Sequence, residues 1–343
     1  MAKKTRQKSI ISPELAKNPV EEKIAPKNFP KWLIWLAICL VVSIGLTIYI
    51  LRKPAEQTTK KQIGAVTSCQ QVPPFVRALG FGNKAAFSTS DRKIQGLILT
   101  EGERKYQHPS WKLAGSLAPI TRDGKGGTFV APAPWIDVLE NKPDEQNKVY
   151  RVDGQTQEMK QFADLPKALE PTSQNPYGVL GLTFDCDTNS LYVSSVSGST
   201  RSETVGRIFQ LSADGKILAQ LEKTDAIGLA VFNSAKGKRL YFGQARSSEI
   251  WSIALDDKGN FSGEARKEIA LENLGTRGDD KARRINFSNN EMVVFGIEFS
   301  FNLIAPTEKQ ETIYRFRYDS AKDVWIYIEE PPQIVGESSE SKL

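Results

Sequence analysis

The stretch from Gly181 to Ile253 says the same thing twice, and a chain that repeats on this scale has few ways to fold. Gly181-Leu-Thr-Phe-Asp185, a turn, Ser190-Leu-Tyr-Val193, a polar loop and Gly206-Arg-Ile-Phe-Gln-Leu211 form the first copy. Gly228-Leu-Ala-Val-Phe232, a turn, Arg239-Leu-Tyr-Phe242, a polar loop and Ser248-Glu-Ile-Trp-Ser-Ile253 form the second. Apolar and polar residues alternate in each segment as they do in half-buried strands. Short strands of this kind cannot bury their faces alone, so the copies must stack.

An aromatic-centred segment extends the register. Val149-Tyr-Arg-Val152, Ile208-Phe-Gln-Leu211, Ile250-Trp-Ser-Ile253 and Ile313-Tyr-Arg-Phe316 share one form, and Ala86-Phe-Ser-Thr-Ser90 is a weaker fifth. Each clear copy is followed by a turn and another apolar strand (Met159–Phe162, Ile217–Leu221, Lys267–Leu271 and Val324–Ile328). Each is also preceded by a strand pair, as in Leu117–Arg122 with Thr128–Pro132 and Arg284–Ser288 with Met292–Ile297. Four clear four-strand units emerge, with a partial one in 75–112. No segment carries a persuasive 3.6-residue period, which excludes a doubly wound α/β fold. The pattern predicts an all-β domain over 69–330, a β-propeller of five or six four-stranded blades. Two stacked sandwiches are the alternative.

Gly181-Leu-Thr-Phe-Asp185…Leu191-Tyr-Val193 and Gly228-Leu-Ala…Lys238-Arg-Leu-Tyr-Phe242 resemble the blade signatures of the gluconolactonase/regucalcin-like and strictosidine-synthase-like propellers. The resemblance covers about residues 110–330 and implies six blades, where the strand count here fits five more easily. It also implies a divalent cation on the ring axis, held by Asn from a Pro-Asn-Gly type turn and by Glu and Asp of other blades. The matching turns here read Asn175-Pro-Tyr-Gly178 and Asp225-Ala-Ile-Gly228. Tyr177 and Ile227 stand where Asn is expected, and a hard cation finds no oxygen on Ile227. The sequence therefore points away from an enzyme and from any cofactor. A divalent cation such as Ca²⁺ enters only under the alternative, a membrane-tethered metal-dependent lactonase or esterase.

The formal charge of +6 is unevenly spread. Residues 1–61 hold twelve Lys/Arg and four Glu, a surplus of +8, which leaves −2 for 62–343. The globular part thus lacks the basic surface that phosphate backbones require, and no nucleic-acid partner is expected. Trp32 to Leu51 is an uncharged apolar run, about 30 Å long as a helix and so matched to a bilayer core. Trp32 and Trp35 at one end and Tyr49 at the other suit the membrane interfaces. The run exceeds a usual signal-peptide core, and no small-residue cleavage site follows. The expectation is a disordered cytoplasmic tail over 1–31, a transmembrane helix over 32–52 in contact with lipid, and a stalk over 53–68. Eight Lys/Arg in 1–31 against four in 52–61 place the propeller outside the cytoplasm. The polar end, 331–343, reads as disordered.

Of three cysteines, Cys39 lies in the apolar run. Cys69 and Cys186 are either one disulfide, worth about 4–5 kcal/mol on the loop-entropy model, or two unpaired thiols. His108, the single histidine, sits beside Ser110 in Tyr106-Gln-His-Pro-Ser-Trp111 with no acid or oxyanion hole in view, so a packed crossover is favoured. Gly124-Lys-Gly-Gly127 lacks Walker spacing and reads as a hairpin turn. Asp185-Cys-Asp-Thr-Asn189 lacks the sixth-position Gly and closing Glu of a calcium loop.

The links between second and third strands are the long ones, at 133–147, 195–205, 244–249 and 300–311, and in a propeller they emerge together at one end. Loops on a rigid scaffold are where recognition usually resides. The candidate binding face comprises Trp135, Ile136 and Leu303 as apolar contacts, rimmed by Arg201 and Arg246, for a protein or small-molecule partner. The competing reading has Trp135 folded into its own blade and the arginines paired at loop tips.

Overall fold

The computed structural model describes residues 62–89, 94–134, 145–170, 174–275, 278–301, 310–329, 333–336 and 340–342, with isolated positions between 30 and 43. The chain divides into two compact units, Met1–Thr59 and Lys60–Leu343. In the first, Trp32, Trp35, Leu36, Cys39, Leu40, Val42 and Ser43 are helical, and the rest of the expected 32–52 span lies outside the described residues. Trp32, Trp35, Leu36, Leu40 and Val42 are all exposed, and Ser43 Oγ donates to the Leu40 carbonyl at 2.9 Å. Among the described residues no helix is long and apolar enough to cross a membrane.

In the second unit the strands β1 (Gly64–Ala65), β2 (Ala86–Ser88), β3 (Ile98–Glu101) and β4 (Arg104–Tyr106) come first, with a short helix α1 (Pro74–Ala78) between β1 and β2. They are followed by β5 (Leu117–Arg122), β6 (Thr128–Pro132), β7 (Lys148–Val152) and β8 (Met159–Asp164). The doubled stretch and the residues just after it supply β9 (Val179–Asp185), β10 (Ser190–Ser195), β11 (Arg207–Leu211), β12 (Ile217–Leu221), β13 (Ala226–Ser234), β14 (Gly237–Gln244), β15 (Glu249–Leu255) and β16 (Phe261–Ala270). The last set is β17 (Lys281–Ser288), β18 (Glu291–Ile297), β19 (Gln310–Asp319), β20 (Val324–Tyr327), β21 (Gln333–Gly336) and β22 (Glu340–Lys342).

These strands form five antiparallel sheets, ordered β5-β6-β7-β8, β9-β10-β11-β12, β13-β14-β15-β16, β17-β18-β19-β20 and β22-β2-β3-β4. The first strands β5, β9, β13 and β17 lie side by side in that order, so the sheets stand round an axis with their first strands innermost. The molecule is a five-bladed propeller. The first blade takes its innermost strand from the far end of the sequence, where β22 pairs β2 through Ala86↔Lys342 and Ser88↔Glu340. Closing a ring with a strand from each end removes the unpaired edge that an open array would leave at the axis.

Two expectations change here. Ala86–Ser88 is the second strand of its blade, not an aromatic-centred third, because it sits between β22 and β3. In the segment 331–343, expected to be disordered from its composition, Gln333–Gly336 and Glu340–Lys342 are strands, the first paired with β19.

Period-two alternation fills the spaces between blades. Phe184, Leu191, Val193, Phe209 and Leu211 face the second blade and pack with Phe129, Ala131 and Val149. Tyr192 and Ile208, one residue out of phase, face the fourth and pack with Leu229, Val231, Leu240 and Phe242. The glycine that opens each repeat is set by this crowding at the axis. A Cβ on Gly181 would stand 2.3 Å from the Ile227 carbonyl oxygen, and one on Gly228 would stand 2.6 Å from that of Ala282. Only glycine lets neighbouring innermost strands approach so closely.

Candidate functional site

Strand direction sorts the connections. In the second to fifth blades the antiparallel order puts the strand ends joined by the first-to-second and third-to-fourth turns at one end, and the strand ends that lead into the second-to-third and blade-to-blade links at the other. The two ends differ. At the turn end a strap of chain runs beneath the ring. Gly64 and Ala65 extend the fourth blade by pairing with Asn233 and Phe232. Val66 is buried between the third and fourth blades, and its carbonyl accepts from Cys186 N at 3.0 Å. Cys69 is disulfide-bonded to Cys186, and Gln71 N donates to the Asp123 carbonyl of the second blade at 3.3 Å. Of the two readings open for these cysteines, the paired one holds.

At the link end an apolar mouth is assembled from three blades. Val196, Ile227, Ala245 and Phe301 are buried, and half-buried Tyr177, Leu180 and Phe299 pack on them. The Tyr177 and Phe299 ring centroids are 5.3 Å apart, and Phe299 meets Phe301 edge-on at 5.5 Å. Burial pushes the Tyr177 phenol above its ordinary pKa, against the opposing pull of the Arg283 charge. The Arg283 guanidinium lies 3.9 Å from Glu311, a carboxylate it shares with Arg284. Such a mouth offers flat aromatic surface for stacking beside cationic groups.

Arg246 does not rim this mouth as a free group. Its Nε donates to Asp225 Oδ2 at 2.8 Å and its Nη1 to the Arg201 carbonyl at 2.7 Å, while Nη2 donates to the carbonyls of Thr200 and Glu203. Its guanidinium carbon lies 4.9 Å from the Phe301 ring centroid. The residue braces the link 199–206 and closes one wall of the mouth. Arg201 is exposed on that link, engaged through its own carbonyl. Trp135, Ile136 and Leu303 lie outside the described residues. Sequence reasoning missed Tyr177, Phe299 and Arg283 as mouth residues. Tyr177 was in plain view, weighed as a lost metal ligand and not as a gained aromatic.

The residues do not fit an axial cation. Asn175 Nδ2 donates to the carbonyls of Val196 and Ser199, both at 2.8 Å. Asp225 accepts from Ser199 Oγ, Gly206 N and Arg246, and Asp280, at the same place in the fifth blade, accepts from Tyr314 Oη at 2.7 Å. Asn175, Asp225 and Asp280, ahead of the innermost strands of the third, fourth and fifth blades, are thus tied into blade structure. Among the described residues no three His, Cys, Asp or Glu side chains are grouped to hold a metal ion.

The other motifs resolve into local structure. His108 caps a short 3-10 turn, with Nδ1 2.8 Å from Ser110 Oγ, and that hydroxyl accepts from Met159 N at 2.9 Å. Asp123 Oδ1 accepts from Lys125 N and Gly127 N, folding Gly124–Gly127 as a hairpin turn. In Asp185–Asn189 the cation is a lysine: Lys238 Nζ lies 2.8 Å from Asp185 and 2.9 Å from Asp187.

No family model matches the chain, and no curated protein matches it. Solved structures similar to it include the Dos1 propeller, with 8% identity over 63% of this chain and 50% of that one, at a TM-score of 0.39. A hypothetical selenium-binding protein from Sulfolobus tokodaii has 9% identity over 75% of this chain and 65% of that one, at 0.43. The exo-β-1,3-galactanase 1,3Gal43A from Clostridium thermocellum has 12% identity over 65% of this chain and 48% of that one, at 0.38. The chain spans half the length of the first. The five-blade architecture rests on the sheets themselves, and neither comparison with known families carries the gluconolactonase-like assignment.

Proposed function

We propose that this chain is a membrane-anchored, extracytoplasmic five-bladed propeller that binds a protein or small-molecule partner at its link end. One observation carries the reading: half-buried Tyr177 and Phe299, contributed by different blades, pack together over buried Phe301, with Arg283 near Tyr177, at the end where the long links emerge. Aromatic and arginine side chains on a rigid frame are the groups that dominate binding energy in recognition sites. The extracytoplasmic placement is supported by the Cys69–Cys186 bond, since structural disulfides persist in oxidising compartments. The anchor is supported by the uncharged run Trp32–Leu51 between basic flanks. The membrane-tethered hydrolase fares worse, because Asn175 and Asp225 spend their polar atoms inside the protein.

The test is capture from detergent-solubilised membranes by the full chain and by Tyr177→Ala/Phe299→Ala. Loss of a specific partner from the variant, with unchanged thermal unfolding, supports the site. Equal capture by both overturns it. Recovery of the full chain in the supernatant after alkaline carbonate extraction overturns the anchor.

A further inference from the structure

The strap under the ring is held in two distinct ways along its length. Downstream, Pro73-Pro74 starts α1, and Phe75 and Val76 are inserted among Phe87, Leu97, Trp111 and Val152 of the first two blades. That anchor is apolar, deep and independent of any cysteine. Upstream, residues 63–71 are held by less: half-buried Ile63 packs on the core shared by the fourth and fifth blades and half-buried Cys69 on that shared by the second and third. β1 is two residues long, Gln71 N reaches Asp123 at 3.3 Å, and Gln70 Nε2 reaches Thr121 Oγ1 at 3.3 Å. Val66 is the one fully buried side chain between Gln62 and Gln71. The covalent bond to Cys186 ties this stretch to the third blade, and both of its cysteines are half-buried and not enclosed.

We propose that residues 63–71 are a redox latch over the turn end of the ring, locked by Cys69–Cys186 and released as a unit by a dithiol reductant. The thiolate of the dithiol attacks one sulfur and forms a mixed disulfide. Its second thiol then closes on that intermediate, so the reductant leaves as a cyclic disulfide and Cys69 and Cys186 leave as thiols. Two electrons pass to the protein. Release frees the Cys186 amide, uncovers the Asn233–Phe232 edge of β13 and empties the slot of Val66 between Tyr192, Ile208, Leu229 and Val231. The blades stay closed, because α1 and the pairing of β2 with β22 do not pass through the disulfide. A further consequence rests on the anchored reading. Freeing the nine residues 63–71 ahead of α1 makes at most roughly 30 Å of further chain available to the tether.

The experiment is hydrogen–deuterium exchange on the full chain in detergent, oxidised and after dithiothreitol, with Cys69→Ser/Cys186→Ser in parallel. Peptides covering 62–72 and the amide of Cys186 are expected to exchange at least tenfold faster in the reduced protein and in the variant. Peptides covering β10, β14 and β18 are expected to change less than twofold. Unchanged exchange over 62–72 overturns the latch, because the strap then holds without the bond. A rise across all blades, or a variant that does not fold, overturns it too, because the bond is then a staple for the whole ring. The anchor and the partner site play no part in this readout, so their failure leaves it intact.

Discussion

Replacing Arg246 by alanine separates a brace from a contact. The side chain is a quarter exposed, while its partner Asp225 is almost wholly buried and 2.8 Å away. At an effective dielectric of about 20, a pair at that distance is attracted by roughly 6 kcal/mol, most of it offset by desolvation. Removing the cation leaves a buried carboxylate that retains Ser199 Oγ and Gly206 N, takes the Arg246 donor from the carbonyls of Thr200 and Arg201, and leaves the Glu203 carbonyl with the Thr200 N–H alone. Breaking one side of a buried pair costs about 3–5 kcal/mol, and the partial exposure of the guanidinium puts the expected loss near the lower end, about 3 kcal/mol. Asp225→Asn in the same background is expected to recover part of it, with a coupling energy of about 2 kcal/mol in the double-mutant cycle. Urea unfolding of residues 60–343, followed by tryptophan fluorescence, measures all four corners at constant m-value. If Arg246→Ala unfolds within about 0.5 kcal/mol of the parent yet loses partner capture, the side chain is a binding contact and the brace argument is wrong.

Three further outcomes follow from the same coordinates. Lys238→Met leaves Asp185 buried without its cation beside the disulfide, and urea titration is expected to show a loss of about 3–5 kcal/mol, part of it recovered by adding Asp185→Asn. Gly228→Ala drives a methyl to 2.6 Å from the Ala282 carbonyl oxygen, and the expected cost is about 1–3 kcal/mol, read as a lower urea midpoint. Asp323 loses by burial but gains more from Tyr318 and Arg266, so its pKa lies below the ordinary 3.8. The stability it contributes is complete above 3.8 and disappears as pH falls through the lowered value, so Asp323→Asn is expected to flatten the acid limb of the pH–stability curve below about pH 4.

The blades were legible because their signal is local. Alternation in Leu191-Tyr-Val193 and Leu240-Tyr-Phe242 encodes which face packs on which neighbour, and the repeated glycine encodes how near the axis the strand lies. Ring closure was not legible. β22 comes from a polar stretch, Glu340–Lys342, and is a strand only because β2 offers it an edge more than 250 positions away in sequence. The first blade was misread for the same reason. Its innermost strand is missing from its own stretch of sequence, so Ala86–Ser88 was placed third where it is second. At the site, Arg246 was found but its role was not. A surface arginine and a brace for three carbonyls look alike until the link 199–206 is folded over it. Phe299-Ser-Phe301 follows a strand end without a repeat partner, so only the fold shows it meeting Tyr177.

The two ends of the ring then bear on each other's assignment. A propeller axis can be approached from either side, and nothing in five similar blades favours one. Here the strap makes the difference. It occupies the turn end at the third and fourth blades, burying Val66 against Tyr192 and Leu229 and covering the edge of β13. A partner arriving there must displace a covalently held segment, whereas at the link end it meets Tyr177 and Phe299 already half-exposed. The end with the lower cost of access is also the end with the long connections, and the chain enters the folded unit at the other. Partner binding at the link end and redox chemistry at the turn end therefore predict independent readouts. Tyr177→Ala/Phe299→Ala is expected to leave strap exchange unchanged, and reduction is expected to leave partner capture unchanged. Coupling between the two, measured as capture that weakens on reduction, would show that the strap supports the mouth through the packed innermost strands and that the ends are not separate devices.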